Sequence, residues 1–103
     1  MKKFNAKRVS INIGYEFLNG KEEVVIVQAL STKEYEDLGV ESKKSSAKPT
    51  QINENTLRKM LVNNDKKIVD EIVKEQYEEG VLSDFVNSLL NAVDESKKGK
   101  LND

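Results

Sequence analysis

The stretch VSINIGYEFLNGKEEVVIVQALSTKEYEDL, residues 9–38, decides the fold. Val9, Ile11, Ile13, Tyr15 and Phe17 alternate with Ser10, Asn12, Gly14 and Glu16, the period-two pattern of a strand with one buried face. Asn19-Gly20 supplies the residue types that a two-residue type I′ turn prefers, because both central positions need positive φ. The return strand then runs from Glu22 to Leu30. With Asn19 and Gly20 as the turn, Tyr15 faces Val24, Ile13 faces Ile26 and Val9 faces Leu30 on one side of the ribbon. Val25 and Val27 fall on the opposite side beside Asn12 and Gly14. There they either bury against a helix or present a patch to a partner.

Ser31-Thr32-Lys33-Glu34 matches a capping box, in which the Ser31 hydroxyl accepts from the Glu34 amide and the Glu34 carboxylate reaches back to the Ser31 amide. A short helix follows through Leu38, and Gly39 ends it. Residues 41–51 contain no large apolar side chain and the one proline of the chain, which reads as a mobile linker. Beyond it the pattern is helical. Asn53 caps a segment carrying Leu57, Met60 and Leu61; Asn63-Asn64-Asp65 interrupts it, and Asp65 restarts the helix. Ile68, Val69, Ile72, Val73 and Tyr77 form one amphipathic stripe, terminated by Gly80. Ser83 caps the last helix, whose stripe is Phe85, Val86, Leu89, Leu90 and Val93, and the polar tail from about Glu95 should fray.

A two-stranded ribbon alone is marginal in water and needs a cover. The expected fold is therefore α+β: an N-terminal β-hairpin at about 9–30, a short helix, and a C-terminal helical hairpin packing on the sheet. One small domain spans 1–103, and residues 3–8 add a strand or extend the first.

Composition narrows the function. The chain is 37% hydrophobic and 34% charged, lean enough that part of it is loose or is completed by a partner. A net charge of −1 argues against general affinity for nucleic acid. Cysteine and histidine are both absent, which removes the thiolate nucleophile, Cys-ligated zinc, the commonest general base and the commonest metal ligand. The glycines fit neither G-x-G-x-x-G nor G-x-x-x-x-G-K-[ST], so no cofactor is expected. Lys2 and Lys3 open the chain without the apolar run of a signal peptide, and no segment approaches a membrane span. These features predict a non-catalytic cytoplasmic protein whose partner is another protein.

Candidate contact residues follow from the remaining pattern. Glu71, Glu75, Glu78 and Glu79 lie opposite the apolar stripe of their helix, and read as a solvated face or as an acidic docking surface. Lys2, Lys3, Lys7 and Arg8 form a solvated basic arm, and Lys43, Lys44 and Lys48 are charges in the linker. The two helical stripes are core by default, but one of them, with Phe85 and Leu89 at its centre, could serve self-association instead. Val25 and Val27 complete the candidate set for a protein partner or a homo-oligomer.

At the strand-to-helix junction, VQALSTKEYEDL (residues 27–38) resembles the phage tail assembly chaperones. Those are small non-enzymatic proteins, several of which pass from a short β segment through a Leu-Ser/Thr-x-x-Glu turn into helices. The resemblance implies a phage or prophage protein in a bacterial host cell that binds a tape-measure protein and shields its apolar helices. Such genes often end at a ribosomal slippage site. Ser96-Lys97-Lys98-Gly99-Lys100 could be encoded by one, although Lys43-Lys44 would match equally well. The rival reading is a small regulatory or inhibitor protein that docks a host partner through the acidic helical surface. A structural virion component is a third.

Overall fold

The computed structural model describes residues 7–101, with side chains described through Lys98. Strands β1 (Ser10–Glu16) and β2 (Glu22–Gln28) form an antiparallel hairpin, followed by helices α1 (Thr32–Ser42), α2 (Pro49–Met60), α3 (Lys66–Glu78) and α4 (Leu82–Leu101). The class is α+β, as the sequence pattern predicts. Of the segment 3–8 that was expected to extend the sheet, residues 3–6 lie outside the described residues. The ladder itself does gain one step beyond β1, because the Ala29 amide donates to the Val9 carbonyl at 2.8 Å.

The hairpin register differs from the expected one by a single residue. Tyr15 pairs with Glu23, Ile13 with Val25 and Ile11 with Val27. The cause is the turn. The Gly20 amide donates to the Phe17 carbonyl and the Phe17 amide to the Lys21 carbonyl, at 2.9 and 2.8 Å. This closes a three-residue loop, Leu18-Asn19-Gly20, with Gly20 at φ +91°. A type I turn followed by a left-handed glycine is the usual three-residue hairpin loop, and Asn-Gly satisfies it as readily as a type I′ turn. The Asn19 side chain secures it by accepting from the Lys21 amide at 2.9 Å. A one-residue slip moves every side chain of the strand to the other face. Val25 and Val27 consequently enter the core, whereas Val24 stands outside at 73% exposure and Ile26 is also exposed.

Helix boundaries shift for local reasons. The Ser31–Glu34 capping box forms in full, but α1 passes through Gly39 and ends at Ser42. The segment between α1 and α2 therefore shrinks from the expected 41–51 to residues 43–48. Pro49 does not extend the loop. It opens α2 at its first helical position, where a proline lacks only an amide that would be unbonded anyway. That places Asn53 inside α2 rather than at its cap. Asp65 caps α3 by accepting from the Lys67 amide at 2.8 Å. Gly80, at φ +73°, makes the α3–α4 corner, and α4 starts at Leu82, so Ser83 lies within its first turn. α4 is helical through Leu101.

The core joins Tyr15, Phe17, Val25 and Val27 of the hairpin to Leu57 and Met60 of α2 and its C-cap Leu61, to Val69, Ile72 and Val73 of α3, and to Val86, Leu89 and Val93 of α4. α4 packs against both strands, α2 packs against β2, and α1 leans on α2. Apart from exposed Tyr77, the two apolar stripes of the helical half are thus spent on closing the fold.

Candidate partner-binding site

The tip of the hairpin meets α3 through Glu75. One carboxylate oxygen accepts from the Tyr15 hydroxyl at 2.8 Å, and the other accepts from the Leu18 amide at 3.2 Å. Gln76 adds a donor, its Nε2 lying 2.8 Å from the same hydroxyl. Burial removes the Tyr15 phenol from water, and the adjacent Glu75 carboxylate further opposes its ionisation. Even against the Gln76 hydrogen bond, its pKa is pushed up to about 12. The ring is fixed by edge-on packing against Phe17 and Phe85, with centroids 4.8 and 5.7 Å away.

This junction opens into a groove of about 540 Å³ lined by Phe17, Leu18, Lys21, Glu71, Glu75 and Glu78, with Asn19, Lys74 and Glu79 completing it. All four glutamates singled out in the sequence therefore belong to one surface feature. Their roles differ. Glu75 is committed to holding the hairpin tip. Glu71 lies 3.7 Å from the Lys21 ammonium, which also approaches Glu23 at 3.6 Å and sits 5.5 Å from the Phe17 ring centre. Glu78 and Glu79 are exposed on the rim and take part in no ion pair among the described residues. Leu18, 73% exposed at the tip, is the exposed apolar element of the groove, beside buried Phe17. Chemically, the groove sets one exposed apolar side chain among four carboxylates and the ammonium groups of Lys21 and Lys74, an acidic surface on balance.

The other candidates lie elsewhere. Val25, Val27 and Leu89 are buried, so they support the fold and offer no outer contact in the folded chain. Phe85 is half-buried beneath Tyr15. The basic arm is described only from Lys7, and Arg8 pairs with Glu34 at 2.7 Å. Burial works against the charge of Glu34, yet the Ser31 amide and side chain, with Arg8 and Lys59 nearby, hold its carboxyl below the usual range. Lys43, Lys44 and Lys48 are exposed. Among the described residues no group of carboxylates is placed to hold a metal ion, and no helix is long and apolar enough to cross a membrane.

Two contributions escape a reading of the sequence. The Tyr15 hydroxyl and Glu75 are sixty residues apart, and no local pattern links them. Asn64, which interrupts the helical pattern, also closes the outer edge of β2. Its side chain accepts from the Ile26 amide at 2.9 Å and donates to the Ile26 carbonyl at 2.7 Å. Asparagine in a helix break is expected for its turn chemistry alone, so nothing signals this second task. Comparison with protein families, with curated proteins and with solved structures finds no match to the chain.

Proposed function

We propose that the chain is a non-catalytic protein-binding factor of phage or prophage origin, most concretely a tail assembly chaperone that shields apolar helices of a tape-measure protein. The observation that carries this reading is the groove between hairpin tip and α3, where exposed Leu18 shares the lining with Glu71, Glu78 and Glu79 and with Lys21 and Lys74. Its complement is an amphipathic helix with apolar side chains flanked by lysine or arginine. Because the stripes of α3 and α4 are occupied in the core, the client is taken on this outer surface and not against those stripes. No cofactor, nucleic acid or membrane enters the reading.

The test is co-expression with the tape-measure protein encoded in the same genome. Coexpression should keep that protein in the supernatant, and Leu18→Asp combined with Glu78→Lys and Glu79→Lys should return it to the pellet. A tape-measure protein equally soluble with the triple variant, or a gene neighbourhood without tail genes, would sink the proposal.

The acidic rim also supports a second reading, a small regulatory or inhibitor protein that docks a basic surface of a host protein. Capture of one host protein by the wild-type chain, lost on charge reversal at Glu78 and Glu79 but indifferent to Leu18→Asp, distinguishes it. Glu75 is unsuitable as a probe of either reading, since changing it also releases the hairpin tip.

A further inference from the structure

We propose that β1 is the interface of a symmetric homodimer, in which two copies pair antiparallel through their β1 edges about a two-fold axis at Asn12. The inference does not depend on what the groove beside α3 binds.

The hydrogen-bond phase of the hairpin comes first. Val9 bonds to Ala29 and Phe17 to Lys21 across the ladder, so the odd residues of β1 direct their backbone groups at β2. Its even residues, Ser10, Asn12, Gly14 and Glu16, direct theirs away from the sheet. The equivalent outward groups of Ile26 on β2 are closed by Asn64. Those of β1 meet no hydrogen-bond partner among the described residues. An open edge of this kind usually carries lysine, proline or a bulge as protection. SINIGYE carries no lysine, proline or bulge, and its single charge, Glu16, stands at the turn end of the strand.

Burial points to the same edge. On the core-facing side, Val25, Val27 and Ala29 of the β2 segment are buried, whereas Ile13, Ile11 and Val9 directly opposite are only half-buried. The sheet is thus covered along β2 and at Tyr15, and left short of cover along the first part of β1, from Val9 to Ile13.

Charge selects the occupant and the register. Glu16 faces Glu22 directly across the hairpin, in a wide pair where side chains are closest and like charges oppose each other. It takes part in no ion pair among the described residues. With Asn12 on the two-fold, Glu16 lies opposite Arg8 of the second copy, and this happens twice. Arg8 has donors to spare beyond the Glu34 contact, because a guanidinium carries five. The same register sets Ile11 opposite Ile13 of the second copy, again twice, and so covers the half-buried residues. It keeps every outward backbone group in phase for bonding and turns a marginal two-stranded ribbon into a four-stranded sheet.

The experiment is sedimentation velocity on the full chain at roughly 100 μM, well inside the range of weak dimers. The expected result is twice the 11.7 kDa monomer mass. Asn12→Pro removes an outward amide, leaves the β1–β2 ladder whole, and should give a folded monomer. Glu16→Arg relieves the repulsion from Glu22, so folding stability holds or rises, while association weakens by about tenfold because two like-charge contacts form. Arg8→Glu added to Glu16→Arg should restore the dimer. The chain has no cysteine, so Asn12→Cys should yield a disulfide-linked dimer on oxidation, with Cα atoms about 5.5 Å apart, and Val24→Cys should not. A monomeric wild-type chain, a folded Asn12→Pro dimer, unchanged association of Glu16→Arg, or equal cross-linking at the two cysteine positions would each overturn the proposal.

Discussion

β1 and β2 have equal lengths and pair residue for residue, yet the protein treats them differently. β2 lies under α2 and α4, its inward valines are buried, and Asn64 occupies its outer edge. β1 packs on α4 and is tied to α3 through Tyr15, but Ile11 and Ile13, with Val9 just before them, are half-buried, and its edge is open. Both strands are anchored, β2 by its valines and β1 by Tyr15, and the difference lies in how far the helices cover each one. It places the buried valines on β2 and the unbonded backbone edge on β1.

The sharpest way to break this comparison is a charge on either face of β2. Val27→Asp, fully buried, should cost more than about 4 kcal/mol and leave no cooperative urea transition, because an unpaired carboxylate enters the core. Val24→Asp, one turn of the pleat away, should stay within about 0.5 kcal/mol of wild type. The type I′ register would reverse this order, so the pair tests the strand slip directly.

Next in size is the anchor of the hairpin tip. Glu75→Ala should cost about 1.5–3 kcal/mol in denaturant midpoint experiments, since it removes a charged acceptor from the Tyr15 hydroxyl and the Leu18 amide. Glu78→Ala, on the same helix but exposed, should be nearly silent. Equal effects would mean that Glu75 is a surface charge like its neighbours.

The same anchor predicts an alkaline limit. The folded state holds the Tyr15 proton to about pH 12, above the ordinary phenol value of 10.0. A raised folded pKa contributes stability that is complete below the unfolded value and is lost as pH rises through the folded one. Thermal midpoints should therefore fall between about pH 10 and 12, and Tyr15→Phe should flatten that decline. An equally steep decline in Tyr15→Phe would assign it to other groups.

The smallest effect concerns the closed edge. Asn64→Ala should cost about 1 kcal/mol, because its two hydrogen bonds to Ile26 lie at the surface, where water replaces them in part. The more telling consequence is that β2 then has an open edge as well. If β1 is the pairing edge, this variant should form species larger than a dimer, visible in the same sedimentation experiment. A variant confined to the wild-type mass would show that Asn64 has no protective part.

Much of the architecture is legible along the chain because it rests on local chemistry. The capping box at Ser31, the Asp65 restart and the Gly80 corner each involve residues within a few positions of one another. The turn at Asn19-Gly20 was legible as a turn but not as a particular turn. Two loop lengths satisfy the same dipeptide, and they differ by the one residue that exchanges the faces of β2. The continuous apolar run Val24-Val25-Ile26-Val27 offers either face to the core, so the pattern itself could not choose. The candidate site shows the same division. Glu71, Glu75, Glu78 and Glu79 stood out together through helical spacing, but that spacing could not separate the anchor from the rim.

By itself, the sequence determined the class of fold, the order of its elements, the caps of two helices and the exclusion of histidine and cysteine chemistry. Each follows from residue types or from interactions spanning one turn of chain. Only the tertiary structure decided which valines of β2 face inward, which glutamate is tied to Tyr15, and which strand edge is left open. Those outcomes depend on how α2, α3 and α4 divide their contacts between two strands. Contacts made across some sixty residues of chain are set by packing, which no local periodicity records.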